Sequence, residues 1–190
     1  MSTVPPDIET ARLLLRRFRA DDVDAVFAMR SRPDVTRYLY GDVLSRQQVV
    51  DLLAERAGMA QVRRDGDAMA LAVERREDGR VIGDLTLWLR SFEHRQGEIG
   101  FVFHPDVHRQ GYAREAVAAL LSVAFDRVNL HRVVGRTDAR NEASAGLMRS
   151  LGMRQEAHLR HNEIFKGEWG DELLFGLLED EWRSAPRKQT

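Results

Sequence analysis

The chain has 190 residues, no cysteine, and 29 Lys and Arg residues against 30 Asp and Glu residues, which gives a formal net charge of -1. A chain of this length buries a core without metals or disulfides, and the absence of cysteine excludes a cysteine nucleophile, a thiolate metal site and a disulfide framework. The near-zero net charge predicts neither strong attraction to nucleic acid nor strong repulsion from it, and local acidic patches leave basic partners open.

The sequence shows no targeting or membrane signal. Residues Met1 to Pro6 lack a charged segment followed by an apolar one, and no apolar run reaches the roughly 18 residues of a membrane span. We therefore expect a cytoplasmic protein without membrane association.

The first predicted elements are a strand and a helix. Leu13 and Leu15 have the two-residue spacing of core-facing positions in a strand. Asp21 or Asp22 is expected to cap the helix that follows. The apolar positions of that helix are Val23, Val26 and Phe27.

A second helix and a hairpin come next. Ser45 and Gln48 have the spacing of a capping box at the start of the helix. Its apolar positions are Val49, Leu52 and Leu53. Strands are predicted at Met69 to Glu74 and at Val81 to Leu89, because the pair Asp78-Gly79 between them is a strong hairpin signal.

The stretch from Glu98 to Ala116 joins an apolar strand, Ile99 to Phe103, to an amphipathic helix through a turn that contains glycine. The segment His108 to Arg114 offers successive backbone N–H groups, and Gly111 lets a ligand approach the main chain closely. The helix after it has apolar residues on one face, and its positive dipole end points back at the turn. These residues are Val117, Leu120, Leu121, Ala124 and Val128. The turn is predicted to hold an anion such as a pyrophosphate, with an ordinary strand-turn-helix connection as the alternative.

The last part of the chain predicts a strand, a helix and a hairpin. The strand at His131 to Thr137 should run parallel to the Glu98 strand, because a helix connects the two. Asn141 is expected to cap a helix that stops at Gly152. The final hairpin has strands at Gln155 to Phe165 and Glu168 to Leu178 and turns at Lys166-Gly167.

Two other kinds of site find little support. Among the six histidines, His104 and His108 have Pro105 between them, and His158 and His161 would lie on opposite faces of a strand, so we expect no metal site. The basic cluster Arg16, Arg17 and Arg19 has only Phe18 to stack on a base, so we expect no nucleic-acid partner.

Several motifs in this order resemble a known family. The stretches Tyr112-Ala113-Arg114-Glu115-Ala116 and Asn141-Glu142-Ala143-Ser144, the latter leading to Leu151-Gly152-Met153, resemble the acetyl-CoA-binding core of the GNAT superfamily of N-acetyltransferases. The opening Thr10-Ala11-Arg12-Leu13-Leu14-Leu15-Arg16, with Asp21-Asp22 beyond it, resembles the branch that includes the ribosomal-protein N-acetyltransferases RimJ and RimL.

The resemblance runs from about Thr10 to Trp182 and implies the fold. It implies one N-acetyltransferase domain over residues 1–190, with a core at about 10–182. The implied architecture is an α/β GNAT fold: a single mixed, mostly antiparallel sheet of about seven strands, with helices on both faces, splayed between the two parallel central strands. A homodimer stays open.

The resemblance also implies the acetyl-CoA site. The pantetheine arm would bind as an extra strand on the main chain of Phe101, Val102 and Phe103. The pyrophosphate would bind the turn and helix start formed by His108, Arg109, Gln110, Gly111, Tyr112, Ala113 and Arg114, with Asn141 nearby. The turn departs from the family pattern, since His108 stands where Gln or Arg is usual and Arg109 where this branch often has Gly.

Catalytic roles follow from the same resemblance. Many relatives place a proton-donating tyrosine where this chain has Met148, and a thioether cannot donate a proton. In the RimL-like branch a serine serves instead, and Ser144 occupies that position. For the base that accepts the amine proton we favour Glu163, with Glu98 second; a solvated surface carboxylate is the alternative for both.

The predicted activity is transfer of the acetyl group of acetyl-CoA, as co-substrate and without metal, to a primary amine of a protein N-terminus or a small molecule. The alternative is a catalytically inactive acyl-CoA-binding regulatory module. The acceptor is expected to depend on the two predicted helices before Met69 and on the loops Tyr38 to Leu44 and Arg90 to Gln96.

Overall fold

The computed structural model describes residues 7–184, in which eight strands form one sheet in the order β1-β2-β3-β4-β5-β6-β8-β7. The strands are β1 (Asp7–Glu9), β2 (Leu13–Arg16), β3 (Ala68–Arg75), β4 (Val81–Ser91), β5 (Gln96–Phe103), β6 (Arg132–Asp138), β7 (Arg154–Phe165) and β8 (Glu168–Leu178). Neighbouring strands are antiparallel except β5 and β6, which are parallel. The predicted mixed, mostly antiparallel sheet is confirmed. Its count exceeds the expected seven because β1, a three-residue edge strand, is too short to show a pattern.

Helices cover both faces of the sheet, as predicted. They are α1 (Val23–Arg30), α2 (Pro33–Thr36), α3 (Arg46–Gly58), α4 (Tyr112–Asp126), α5 (Glu142–Ser150) and α6 (Glu179–Ser184). Side chains of α4, α5 and α6 belong to the larger hydrophobic core, and those of α1 and α3 belong to a smaller core on the opposite face. Along β3, Leu71 points into the larger core and Ala72 into the smaller one, because successive side chains of a strand alternate between faces.

The two parallel strands separate partway along their length. Pairing of β5 with β6 runs from Gln96 opposite Arg132 to Ile99 opposite Gly135. Beyond that point β5 continues to Phe103 on its other neighbour β4, and β6 continues to Asp138 on its other neighbour β8. The segment Gly100 to Phe103 therefore has one edge that no strand of the described residues 7–184 pairs with, and the predicted splay is confirmed.

Several local predictions are also confirmed. The Ser45 hydroxyl accepts from the Gln48 N–H, and the Gln48 side chain accepts from the Ser45 N–H, which is the predicted capping box at the start of α3. Gly79 and Gly167 have φ of +70° and +86° in the two predicted hairpin turns. Gly152, with φ of +84°, follows the end of α5.

The predicted N-cap hydrogen bond of α1 is wrong. Asp22 does stand at the N-cap position, but its carboxylate makes no cap hydrogen bond. It accepts instead from the Arg16 guanidinium at 2.7 and 2.8 Å and from the Arg19 N–H at 2.7 Å. Arg16 is buried and also pairs with Glu74, so its charge requires these carboxylates. Arg16 therefore offers no free charge to nucleic acid.

Candidate active site

A cavity of about 320 Å³ opens where β5 and β6 separate. Six predicted site residues line it: Phe101 and Val102 of β5, Asn141 and Ser144 at the start of α5, and the two carboxylates Glu98 and Glu163. A larger, open cleft of about 650 Å³ lies beside Trp88, between the end of α3 and the start of β3. Trp88 borders both spaces, but the larger cleft contains none of the predicted site residues.

The predicted phosphate turn lies beyond the end of β5 and is exposed. Arg109 and Gly111 have φ of +60° and +82°, and α4 begins at the next residue, Tyr112. Within the described part of the chain, the N–H groups of residues 109–114 donate no hydrogen bond; the next one, from Glu115, goes to the Gly111 carbonyl at 3.1 Å. A row of free N–H groups at the positive end of a helix dipole is suited to bind an anion.

The side chain of Arg12 supports the turn. The sequence did not predict this contact. Arg12 donates to the Gln110 carbonyl at 3.0 Å and pairs with Glu115 at 2.7 Å. Its guanidinium carbon lies 4.3 Å from the centre of the Tyr112 ring. Partial burial opposes ionisation of Glu115, but the hydrogen bonds from Thr10 and Arg12 hold the pKa of this carboxyl below its ordinary value. Arg12 thus fixes the loop and the first turn of α4 together.

Glu163 and Tyr40 meet across the cavity mouth. The Tyr40 hydroxyl lies 2.9 and 3.0 Å from the two carboxylate oxygens of Glu163, and its ring packs edge-on against Phe165. Partial burial and the hydrogen bond to Glu163 raise the pKa of Tyr40 to about 12. At neutral pH the phenol is therefore protonated and donates to the carboxylate. The sequence had indicated only the loop that contains Tyr40.

The second candidate base is in a different electrostatic setting. Glu98 accepts from Arg90 at 3.0 Å and lies 3.8 Å from Arg136, so two guanidinium groups compensate its charge. Glu163 has no basic partner among residues 7–184. The Glu163 carboxylate is thus not held in an ion pair and lines the cavity, so the geometry favours Glu163 over Glu98 as the candidate base.

The start of α5 presents the candidate proton donor. The Asn141 side chain accepts from the Ser144 N–H at 3.1 Å, which confirms the predicted cap. The Ser144 hydroxyl makes no hydrogen bond to any other group in residues 7–184, and it lines the cavity. Met148 is fully buried, and a Cβ added at Gly135 would lie 2.5 Å from its sulfur. Met148 therefore fills the space beneath β6 instead of contributing to the cavity.

The predicted site residues are not all at the cavity. Phe103 is buried in the larger core, where its ring lies against Gly83. The loop Tyr38 to Leu44 does border the cavity, through its first three residues. The segment Arg90 to Gln96 contributes no lining residue, because its turn lies at the end of β5 opposite the phosphate turn.

The histidines are arranged differently from expectation. The His158 ring nitrogen lies 2.7 Å from the Asp171 carboxylate, and the His161 main-chain N–H donates to the same carboxylate at 2.9 Å. The prediction that these residues lie on opposite faces assumed a regular strand, but the register of β7 shifts between Leu159 and Glu163. Burial lowers the pKa of His104. Residues 7–184 contain no group of three or more side chains arranged to hold a metal ion.

Comparisons with known proteins agree with this architecture. The family model of the acetyltransferase (GNAT) domain matches residues 12–154. The chain is 31% identical over 175 residues to the uncharacterized N-acetyltransferase YnaD of Bacillus subtilis, covering 92% of this chain and 98% of that protein. A GNAT-family acetyltransferase structure from Bacillus anthracis matches with a TM-score of 0.83 and 29% identity, over 92% of this chain and 99% of the other.

A further solved structure shares the fold alone. It is a spermidine N-acetyltransferase from Vibrio cholerae in complex with CoA and spermine, with a TM-score of 0.77 and 19% identity, over 92% of this chain and 100% of the other. Together these similarities show that the chain belongs to the GNAT family of acetyltransferases, whose members use acetyl-CoA. The chain is thus an acetyl-CoA-dependent N-acetyltransferase by family, and the comparisons do not establish a branch within it. No helix of residues 7–184 is long and apolar enough to cross a membrane.

Proposed function

We propose that this chain transfers the acetyl group of acetyl-CoA to a primary amine by direct attack in the cavity between β5 and β6. The observation that carries the proposal is the unpaired edge of Gly100 to Phe103. At one end of this edge are the free N–H groups of residues 109–114, and at the other is the cavity lined by Ser144 and Glu163. Pyrophosphate would bind the N–H groups, and the amides of pantetheine would pair with the strand edge.

The chemistry then needs three events near the thioester. A protonated amine with a pKa of about 8 must lose a proton before it can attack, and Glu163 accepts it directly or through water. The amine nitrogen forms a bond to the acetyl carbon, the C–S bond breaks, and the nitrogen, which carries a positive charge after the attack, releases its second proton to solvent. The departing thiolate takes a proton from the Ser144 hydroxyl, which regains one from solvent. The neutral phenol of Tyr40 orients the Glu163 carboxylate.

An inactive acyl-CoA-binding module is the competing function. Such a module requires the acetyl-CoA site alone. It does not explain why the cavity contains the Ser144 hydroxyl, which makes no hydrogen bond within residues 7–184, and the Glu163 carboxylate, which has no basic partner there. We therefore favour turnover. Four points stay predictions: that the acceptor is a protein N-terminus or a small molecule, that the chain belongs to the RimJ/RimL-like branch, that it is cytoplasmic, and that it forms a homodimer.

The test is a screen of small amines and N-terminal peptides for release of the CoA thiol, with acetylated product identified by mass spectrometry. We expect thiol release that depends on one class of amine and gives a stoichiometric amount of N-acetylated product. Binding of acetyl-CoA without release of thiol to any amine would favour the regulatory module instead.

A further inference from the structure

Most charged side chains around the cavity have a partner of opposite charge. The four pairs are Arg30 with Asp84 at 2.5 Å, Arg136 with Glu172 at 3.0 Å, Glu98 with Arg90 at 3.0 Å, and Asp138 with Arg140 at 2.7 Å. Two lining charges have no such partner among residues 7–184, and they are of opposite sign: Arg56 and Glu163. Both residues are only partly buried, and each is available to pair with an opposite charge that a ligand brings into the cavity.

Arg56 lies on the wall formed by β4 and α3. Its guanidinium donates one hydrogen bond, to the buried hydroxyl of Thr86, and its other four N–H groups have no acceptor among residues 7–184. Thr86 pairs with Gly100, the first residue of β5 beyond the last pair with β6. Arg56 therefore stands beside the start of the unpaired strand edge.

A second guanidinium lies on the same wall. Arg30 is 8% exposed and lines the cavity, but its charge is paired with Asp84 and its Nε–H is buried, without a hydrogen-bond partner among the described residues. The donors that this wall presents to a ligand are therefore the N–H groups of Arg56, whose planar guanidinium suits a carboxylate.

Glu163 lies on the opposite wall. It belongs to β7, where it pairs with Gly170 of β8, across the gap from β4 and β5. The cavity is therefore cationic at one wall and anionic at the other. Its volume of about 320 Å³ has to hold the thioester end of acetyl-CoA together with the acceptor, so the acceptor is small.

From this arrangement we propose that the acceptor is a small amine that carries a carboxylate, with the carboxylate bound by Arg56 and the amino group directed to Glu163. The inference rests on the proposed acetyl transfer and adds the substrate class. A polyamine would place positive charge against Arg56 and is disfavoured. The N-terminal residue of a protein has its α-carboxyl group in a peptide bond, so that group would leave Arg56 uncompensated.

The experiment compares amino acids with their carboxamides, which keep the size and the amine but lose the negative charge. Both series run from α-amino acids to longer ω-amino acids, and the readout is kcat/KM for release of the CoA thiol. We expect the acid of the best pair to exceed its amide by about 10- to 100-fold, the range of one hydrogen bond to a charged group. Arg56→Gln should raise the KM of the acid by a similar factor and bring the acid-to-amide ratio close to one.

Arg46→Gln is the matched control, because Arg46 lies on the same helix, is exposed and pairs with Asp24. It should leave the acid-to-amide ratio unchanged, and the KM for acetyl-CoA monitors folding of both variants. Amides that react as well as acids, or a ratio that Arg56→Gln does not change, would overturn the acceptor assignment while acetyl transfer itself stands.

Absence of turnover with every amine would count against the proposed function. The acceptor class would then be tested by the binding of amino acids to the protein. Calorimetric titration of the same amino acids into the CoA-loaded protein should show affinity that Arg56→Gln removes. No such binding would overturn the assignment as well.

Discussion

Tyr40 and Glu163, 123 residues apart in the chain, are joined by a hydroxyl that lies 2.9 and 3.0 Å from the two carboxylate oxygens. The phenol donates to the carboxylate at neutral pH, because partial desolvation of the hydroxyl and this contact raise its pKa to about 12. The contact ties the segment after α2 to β7 and directs the carboxylate at the cavity. The account of catalysis depends on that carboxylate.

Replacing Glu163 by Gln should lower kcat by about 10²- to 10⁴-fold at neutral pH, the usual contribution of a general base. The loss should shrink as the pH rises toward the pKa of the amine, about 8 for an N-terminal amino group and about 10 for an alkyl amine, because more of the amine is then neutral without help. The measurement is the pH profile of kcat with the best amine. Glu98→Gln is the comparison, and we expect a smaller loss because Arg90 already occupies that carboxylate. A full loss from Glu98→Gln with none from Glu163→Gln would move the base to Glu98.

Titration of the Tyr40 phenol should occur near pH 12 instead of its ordinary value of 10.0. A raised pKa means that the stability contributed by this contact is fully present below about pH 10 and is lost between about pH 10 and 12. Ultraviolet absorbance of the phenolate, compared between the parent and Tyr40→Phe, isolates this group. Glu163→Gln should move the titration midpoint of the Tyr40 phenol toward lower pH. A difference spectrum that titrates at the ordinary value would contradict the contact.

Ser144→Ala should lower kcat by about 10²- to 10⁴-fold and leave the affinity for CoA almost unchanged, since the hydroxyl acts on the leaving thiolate. Ser150→Ala, at the other end of α5, is the control because its hydroxyl only bonds the Leu147 carbonyl. Steady-state kinetics and calorimetry with CoA separate the two effects. If Ser144→Ala turns over as fast as the parent, Ser144 is not the proton donor and has only a structural place in the first turn of α5.

Gly111→Val should weaken acetyl-CoA binding by about tenfold or more. The branched side chain would stand where the pyrophosphate approaches the free N–H groups, and its Cβ would lie 3.3 Å from the Arg12 guanidinium that supports the turn. Gly152→Val is a close control, since Gly152 has φ of +84° against +82° and open space around it. Calorimetry should find weaker binding for Gly111→Val alone. Equal affinity of the two variants would remove the phosphate site from this turn.

The sequence predicted best the features whose cause lies within a few residues. The capping box of Ser45 and Gln48, the turn at Gly79 and the helix stop at Gly152 each depend on neighbours in the chain, and the structure contains all three. The splay between β5 and β6 was also expected, but through the family resemblance and not from the periodicity of apolar residues.

Contacts between distant segments could not be predicted. Arg12 reaches the carbonyl of Gln110 across 98 residues, and nothing in the sequence around it, just before β2, marks it as a support for the phosphate turn. Asp22 has the sequence signature of a helix cap, yet the buried charge of Arg16 takes its carboxylate. The unpaired charges of Arg56 and Glu163 became visible only when the partners of the other charged residues around the cavity were known.

A crystal structure with CoA bound is the most direct test of the site itself. The account predicts pyrophosphate oxygens within hydrogen-bonding distance of the N–H groups of residues 109–114, pantetheine amides paired with the free edge of Gly100 to Phe103, and the thiol beside Ser144. CoA bound elsewhere, for instance in the open cleft beside Trp88, with the phosphate turn and the strand edge left free, would contradict it.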